Sequence, residues 1–599
     1  MRIIFITITS VFLLFSLCFA STNVPGGSVT GTWTLAGSPY LVQGAIMVPS
    51  GSTLTIEPGV TVNFQGSYKF YIQGRLLAIG TISDSITFTS SDISTGWLGI
   101  RFDNTPITND TSKLIYCKIQ YCKLTGTSND ANGGGLYFKS YSKAIISNCN
   151  ISYNSATSLS GNGGGICCDQ SSPVIRDNTI SFNSAIGYGG GIYCVNCNTL
   201  SISYNNISHN SASSLSIGFG GGIYCYECTS PIISNNTISY NQAGALAGGI
   251  YSYNSNPLIT NNIIQFNSVE GAGGGVRIII GGTITDNIIT NNSATSSNGV
   301  GGGIYCNANT TIVIKNNIIS NNSADGYGGG ICNTYPSSPN ISNNIITNNS
   351  CGTMGGGIYC NGSNPIITNN TISNNSAASG GALYCSNNSD PVFNNSILWG
   401  NTASTGGNQV YLFDENSEPT FYYCDIQGDI ADFGLNGVFY TGIYQNNINA
   451  IPLFVSPSIS SGSGYDGINA DWTLQNGSPC INAGNPSGNY PATDLAGNPR
   501  IIGNRIDIGA YEYQGTGDIA SVNNLKDFYI YPNPATDKAI ILIPNKATIE
   551  FLTINGHVIK SIICSSNSAL VDLKDLTSGV YFVRAITNNE IAIKKFIKE

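Results

Sequence analysis

Through the middle of the chain, apolar and polar residues alternate with a period of two over stretches of only three to five residues, and Gly, Asn, Ser or Pro ends each stretch. Gly357-Ile358-Tyr359-Cys360, Pro365-Ile366-Ile367 and Thr371-Ile372-Ser373-Asn374-Asn375 are typical. Runs this short and this rich in β-branched residues predict strands, because a helix needs ten or more helix-forming positions and tolerates neither the Gly nor the Asn. The pattern then repeats. Glycine-rich openings stand at Gly133, Gly163, Gly189, Gly220, Ala247, Gly273, Gly301, Gly328, Gly355 and Gly380, between 25 and 31 residues apart with a mean near 27. A fixed period of that length marks an array of stacked units.

Each unit holds three short strands and three turns, which describes one triangular coil of a right-handed parallel β-helix. One coil cannot fold alone. Fixing about 27 backbones costs on the order of 27–54 kcal/mol, and a few inward Ile or Val side chains return only about 1.5–3 kcal/mol each. Stacking adds ladder hydrogen bonds and a continuous core, so the coils stabilise one another.

Alternation assigns faces. If Ile358 points inward, so does Cys360, and Tyr359 points out. Applied to every unit, this places Cys168, Cys194, Cys225, Cys306, Cys360 and Cys385 in an internal column. It places Tyr137, Tyr193, Tyr224, Tyr251, Tyr305, Tyr359 and Tyr384 in an external one, interrupted by Arg277. An external aromatic column can stack on sugar rings, so Tyr193, Tyr224, Tyr251, Arg277, Tyr305, Tyr359 and Tyr384 are the candidate ligand site. Asn178, Asn205, Asn236, Asn262, Asn287, Asn317, Asn344, Asn370 and Asn395 recur at one corner, where Asn suits a left-handed turn and bonds to the copies above and below. His209 shares a column with Tyr153, Phe182, Tyr240 and Phe266, read as a stacked ladder.

Composition narrows the function. Only 9% of the 599 residues are charged and the net charge is −9, which excludes a basic footprint for nucleic acid. His209 and His557 are the only histidines, so most His-based catalysis is excluded. Charges within the repeats are sparse; Arg176 and Lys315 share a column, as do Asp177 and Asp286, but they stand several coils apart, Arg277 is isolated, and no catalytic residue is singled out. A polysaccharide lyase or glycoside hydrolase of this fold therefore stands as the alternative to a binding protein, with a purely structural envelope component as a third reading. No cofactor is expected, and no residue is singled out as a metal ligand. Cys194-Val-Asn-Cys197 and Cys225-Tyr-Glu-Cys228 form a doubled CxxC whose stacking permits a disulfide at Cys197 and Cys228 or a four-thiolate zinc site, although the repeat period alone produces that spacing.

The ends carry addresses. Arg2, the apolar run Ile3 to Leu17 and Ala20 before Ser21 read as a secretory signal. No later stretch has membrane-spanning length, so the mature chain is expected to lack a transmembrane segment. Residues 518–599 hold 17 charges in 82 positions against 12 in 269 for residues 133–401, so the tail is a separate domain.

Several stretches resemble known families. The repeats, with GGGIY and Ile-x-x-Asn-x-Ala cores, look like those of secreted right-handed β-helix proteins and polymorphic outer-membrane adhesins. Val48-Pro49-Ser50-Gly51-Ser52-Thr53-Leu54-Thr55-Ile56-Glu57-Pro58-Gly59-Val60 is similar to the opening coils of such helices. Gly477-Ser478-Pro479-Cys480-Ile481-Asn482-Ala483-Gly484 and Asp507-Ile508-Gly509-Ala510-Tyr511-Glu512-Tyr513 resemble a choice-of-anchor Q segment, which implies a cap over the open end of the core, or calcium held by its acidic residues. Tyr531-Pro532-Asn533-Pro534, Leu576-Thr577-Ser578-Gly579-Val580-Tyr581 and the basic end Lys594-Lys595-Phe596-Ile597-Lys598 look like a type A sorting domain of the type IX secretion system. That resemblance implies engagement of the secretion machinery through residues 527–599 and a secreted or outer-membrane cell-surface location.

The expected order is a signal peptide over 1–20, an N-terminal cap and first coils over 21–132, glycine-led coils over 133–401, and last coils with a closing segment over 402–514. A linker over 515–526 and a small β-sandwich over 527–599 follow. The expected task is adhesion or glycan binding, with a polysaccharide or surface glycan as partner.

Overall fold

A computed structural model describes residues 21–126, 131–158, 161–307, 311–488, 490–503, 505–515, 528–543, 546–553, 558–564, 568–587 and 591–598. The expected signal peptide, and the linker from residue 516 onward, lie outside the described residues. The chain divides into two compact units, residues 1–513 and 514–599.

The long unit is a right-handed parallel β-helix with three sheets of sixteen strands each, called here faces A, B and C in the order the chain meets them. Equivalent residues stand over one another without slippage: Ile192, Ile223 and Ile250 pair in register, as do Cys168, Cys194 and Cys225. A fourth, eleven-stranded sheet of mostly two-residue strands, such as Ser184–Ala185 and Ser211–Ala212, adds a short side that three strands per coil did not anticipate. Its Ala side chains are small enough to bury at a narrow corner, and they do. The bore is a continuous apolar core, with the six predicted cysteines fully buried in it and Ser252, Ile278 and Asn333 taking the intervening positions of their column.

Asparagine does more than the sequence suggested. Two ladders run through the corners. In one, Asn178 to Asn370 are buried, and each Oδ1 accepts the backbone N–H and the Nδ2 of the coil before it, as at Asn205 with Asn178 (3.0 Å each). Ser396, not Asn395, ends this ladder, accepting from the Asn370 N–H at 3.2 Å. The left-handed φ also falls one residue earlier than expected, on Asp177, Tyr204, Asn235, Asn261 and their equivalents, Asn395 among them. A second ladder from Asn154 to Asn401 was not anticipated; Asn183, Asn210 and Asn241 are linked in it at 3.0 Å.

Residues 451–513 do not close the end of the bore. Phe433, Tyr440 and Tyr444 cover Phe421 there. The closing segment instead folds back along the outside of face A, where Phe454, Trp472, Leu474, Cys480, Ile508 and Ala510 bury Ile345 and Ile397. Backbone carbonyls of its Ser458, Ser460, Ser463 and Tyr465 accept from Asn321, Asn348 and Asn374. Its acidic residues surround a cation already present in the chain. Buried Arg500 donates to Asn343 Oδ1 (2.7 Å) and the Gly509 carbonyl (2.9 Å), with Asp494, Asp507 and Glu512 nearby. Their carboxylates accept backbone N–H groups of Glu512, Tyr513 and Asp507. Among the described residues no group is placed to hold a metal ion.

Burial lifts two carboxyls of this interface. Asp425, which accepts from the Cys480 thiol at 3.1 Å and lies near Asp429, is pushed up to about 7. Glu512, beside Asp507 and Arg500, is also pushed up to about 7. A carboxyl raised on folding stabilises the fold fully below its ordinary value, and that contribution is lost as pH rises through the folded value. The melting temperature of the long unit is therefore expected to fall by several degrees between about pH 5 and pH 8. Asp425→Asn should flatten that slope, as differential scanning calorimetry across the range would register.

The short unit pairs a three-stranded and a four-stranded antiparallel sheet around Ile541, Ile549, Phe551, Val583 and Phe596. No helix among the described residues is long and apolar enough to cross a membrane.

Candidate functional site

The tyrosine column lies on the outer side of face B, as alternation requires, but it does not face solvent. Tyr193, Tyr224, Tyr251, Tyr305, Tyr359 and Tyr384 are only 2–9% exposed. The residue just before each glycine opening covers them: Tyr188, Phe219, Leu246, Ala272, Val300, Tyr327 and Met354 form their own bridge ladder over the rings. Tyr188 meets Tyr224 edge-on at 5.2 Å, and Phe219 meets Tyr251 edge-on at 5.7 Å. Burial pushes the Tyr193 and Tyr224 phenols up. Arg277 is sandwiched in the gap, 5.4 Å from the Tyr251 ring and 4.3 Å from Tyr305. The column is thus a second apolar core outside the bore, and its ring faces are already occupied.

Cys197 and Cys228 are free, buried thiols. Their column is a hydroxyl column elsewhere. Ser255 Oγ accepts from the Cys228 N–H (2.8 Å) and donates to the Tyr253 carbonyl, and Ser171 does the same toward Tyr141 and Asp169. The two thiols copy that pattern by donating to Val195 and Tyr226. Arg176 pairs with its neighbour Asp177 at 2.6 Å, and Asp286 accepts from Thr285 and Asn316. The structure does not bring these charges together.

What it does bring together lies on face A. Tyr121, Tyr153, Phe182, His209, Tyr240 and Phe266 stack continuously, with centroids 4.8–5.7 Å apart and planes within 20°. Tyr153, Phe182, Tyr240 and Phe266 are 41–50% exposed, so their edges form a ridge along the axis. Every ring sits on a left-handed residue, with φ between 54° and 62°. That backbone swings the side chain out of the corner, away from the strand's own alternation.

Beside the ridge runs a trough, the outer side of the strands Asn150–Ser152, Thr179–Ser181, Asn206–Ser208 and Thr237–Ser239, bounded by exposed Lys118 on the coil before and Ile263 on the coil after. Asn150, Thr179, Asn206 and Thr237 stand outward in register and reach solvent, four coils of amides and hydroxyls without a charge, while Ser152, Ser181, Ser208 and Ser239 two residues on are buried. Tyr204 stands exposed on the far rim.

The same face changes character further along. From Asn291 the ridge column becomes Asn291, Asn321, Asn348 and Asn374, still left-handed, and the trough positions become Ile288, Ile318 and Ile345. The closing segment docks on the last three of these coils, at Asn321, Asn348 and Asn374. Face A thus has a covered half, apolar with Asn at its edge, and an open half, polar with rings at its edge.

Residues 107–294 match the family model described as right handed beta helix region, and residues 529–599 match that of the secretion system C-terminal sorting domain. This is an exported β-helix protein. The sorting domain directs this β-helix through type IX secretion to the cell surface or extracellular space. The family match ends at the coil where face A changes character. A stretch of 71 residues is 39% identical to Protein bark beetle of Drosophila melanogaster. It covers 12% of this chain and 2% of that protein, and carries no function across.

Proposed function

We propose that this exported β-helix is a non-enzymatic glycan-binding surface protein, an adhesin or glycan-binding module, and that the open half of face A holds a neutral polysaccharide running along the axis. The observation that carries the reading is the pairing of an uncharged row of Asn150, Thr179, Asn206 and Thr237 with an exposed aromatic ridge over four successive coils. Hydroxyl and amide groups exchange hydrogen bonds with sugar hydroxyls, and the ridge gives the C–H faces of sugars an apolar wall. Each of the four coils offers an amide or a hydroxyl at one strand spacing, roughly 4.8 Å, so a regular polymer meets a regular surface. The lack of charge favours neutral chains, because an acidic sugar would surrender its hydration to groups that cannot neutralise it.

Affinity electrophoresis of the full chain tests this. Gels containing neutral polysaccharides, such as a xylan, a mannan and a β-glucan, should retard the protein, and gels containing polygalacturonate should not. Retardation by polygalacturonate alone, or by none of them, would reject the reading.

A further inference from the structure

We infer a second ligand site, for a free neutral sugar or polyol, in the cleft between the outer side of face C and the closing segment. The cleft holds about 490 Å³, within the range of small-ligand pockets. Its floor is built by successive coils. Ser342 and Thr368 are register partners there, so their hydroxyls stand one over the other, with Ile366 beside them. Its roof is Tyr490. Among the described residues, none that lines it is charged.

Asn395 decides the polarity. This side chain lines the cleft, is 1% exposed, and receives the Asn485 N–H on Oδ1 at 2.7 Å. Its Nδ2 is buried and has no protein partner. A buried donor left unpaired costs about 1–3 kcal/mol, and a small reorientation of the amide toward the cleft would let a ligand oxygen recover that cost. Hydroxyl groups answer this lining best. They accept from the amide, exchange bonds in both directions with Ser342 and Thr368, and leave a C–H face for Ile366 and Tyr490. A phosphate, carboxylate or ammonium ligand would find no counter-charge.

The site is independent of the trough on face A, because it uses different coils, a different face and the closing segment. Saturation-transfer NMR on the full chain with glucose, galactose, mannose and N-acetylglucosamine, each alone, tests it. At least one should receive saturation, and its dissociation constant should rise about tenfold or more in both Tyr490→Ala and Thr368→Val. A chain carrying Phe182→Asn and Tyr240→Asn should bind that sugar as the unaltered protein does. Absence of transfer to all four sugars overturns the site. So does transfer that survives both cleft variants, or transfer that disappears with the ridge variant, which would assign the signal to face A.

Discussion

Asn241→Leu is expected to destabilise the long unit by about 3–5 kcal/mol, the sum of several buried groups losing partners at about 1–3 kcal/mol each. Asn241 Oδ1 accepts both the backbone N–H and the Nδ2 of Asn210 at 3.0 Å. Its own Nδ2 donates to the Ile207 carbonyl at 2.8 Å and to Asn267 Oδ1 at 2.9 Å. Leucine fills nearly the same volume and meets none of these groups, and water cannot reach them, since Asn210, Asn241 and Asn267 are at most 1% exposed. Asn241→Ser should cost less, because the parallel ladder already ends on a serine hydroxyl at Ser396. The midpoint of urea unfolding reads both. Because each coil leans only on its neighbours, amide exchange should rise first in the coils on either side of the substitution. A leucine variant as stable as the parent would mean the ladder is incidental.

Replacing three ridge residues together, Tyr153→Asn, Phe182→Asn and Tyr240→Asn, is expected to weaken binding to a retained polysaccharide about a hundredfold. Each covered ring edge contributes on the order of 1 kcal/mol of apolar burial, and about 1.4 kcal/mol is tenfold. Asparagine is the right replacement because the same corner carries it, left-handed, at Asn291, Asn321, Asn348 and Asn374. The backbone therefore keeps its conformation. Thr179→Val with Thr237→Val, which removes trough hydroxyls and keeps shape, should weaken binding without touching the ring stack. Tyr224→Phe, inside the covered column, should leave it unchanged. Affinity electrophoresis against a concentration series of the polysaccharide gives all three values. Equal mobility of the ridge variant and the parent would remove face A from the account.

The period, the three faces and the cysteine lining of the bore were legible because a strand displays its two sides as alternate letters, and stacking repeats those letters at a fixed interval. Exposure of the tyrosine column was misread for a local reason. Tyr188, Phe219, Leu246, Val300, Tyr327 and Met354 are single apolar residues beside a glycine turn, and a lone residue has no periodicity to show that it folds over the next strand. The second asparagine ladder was hidden by abundance, since one more Asn in an Asn-rich unit carries no contrast. The docking of residues 451–513 depends on partners up to 157 positions apart, such as Asn343 with Arg500, which no short-range pattern encodes. A clue was nevertheless present. The change of one column from Tyr153, Phe182 and Tyr240 to Asn291, Asn321 and Asn348, together with the change of its neighbours from Thr179 and Asn206 to Ile288 and Ile318, divides one face into two surfaces with different tasks.

Amide hydrogen exchange of the full chain, with and without a saturating neutral polysaccharide, tests most directly whether that division is functional. The open half of face A, in the strands Asn150–Ser152, Thr179–Ser181, Asn206–Ser208 and Thr237–Ser239 and the corners that follow them, should gain protection, and the covered strands Ile318–Ser320 and Ile345–Thr347 should not change. Protection that appears on face B or in the C-terminal unit, with these four strands unaltered, would contradict the account.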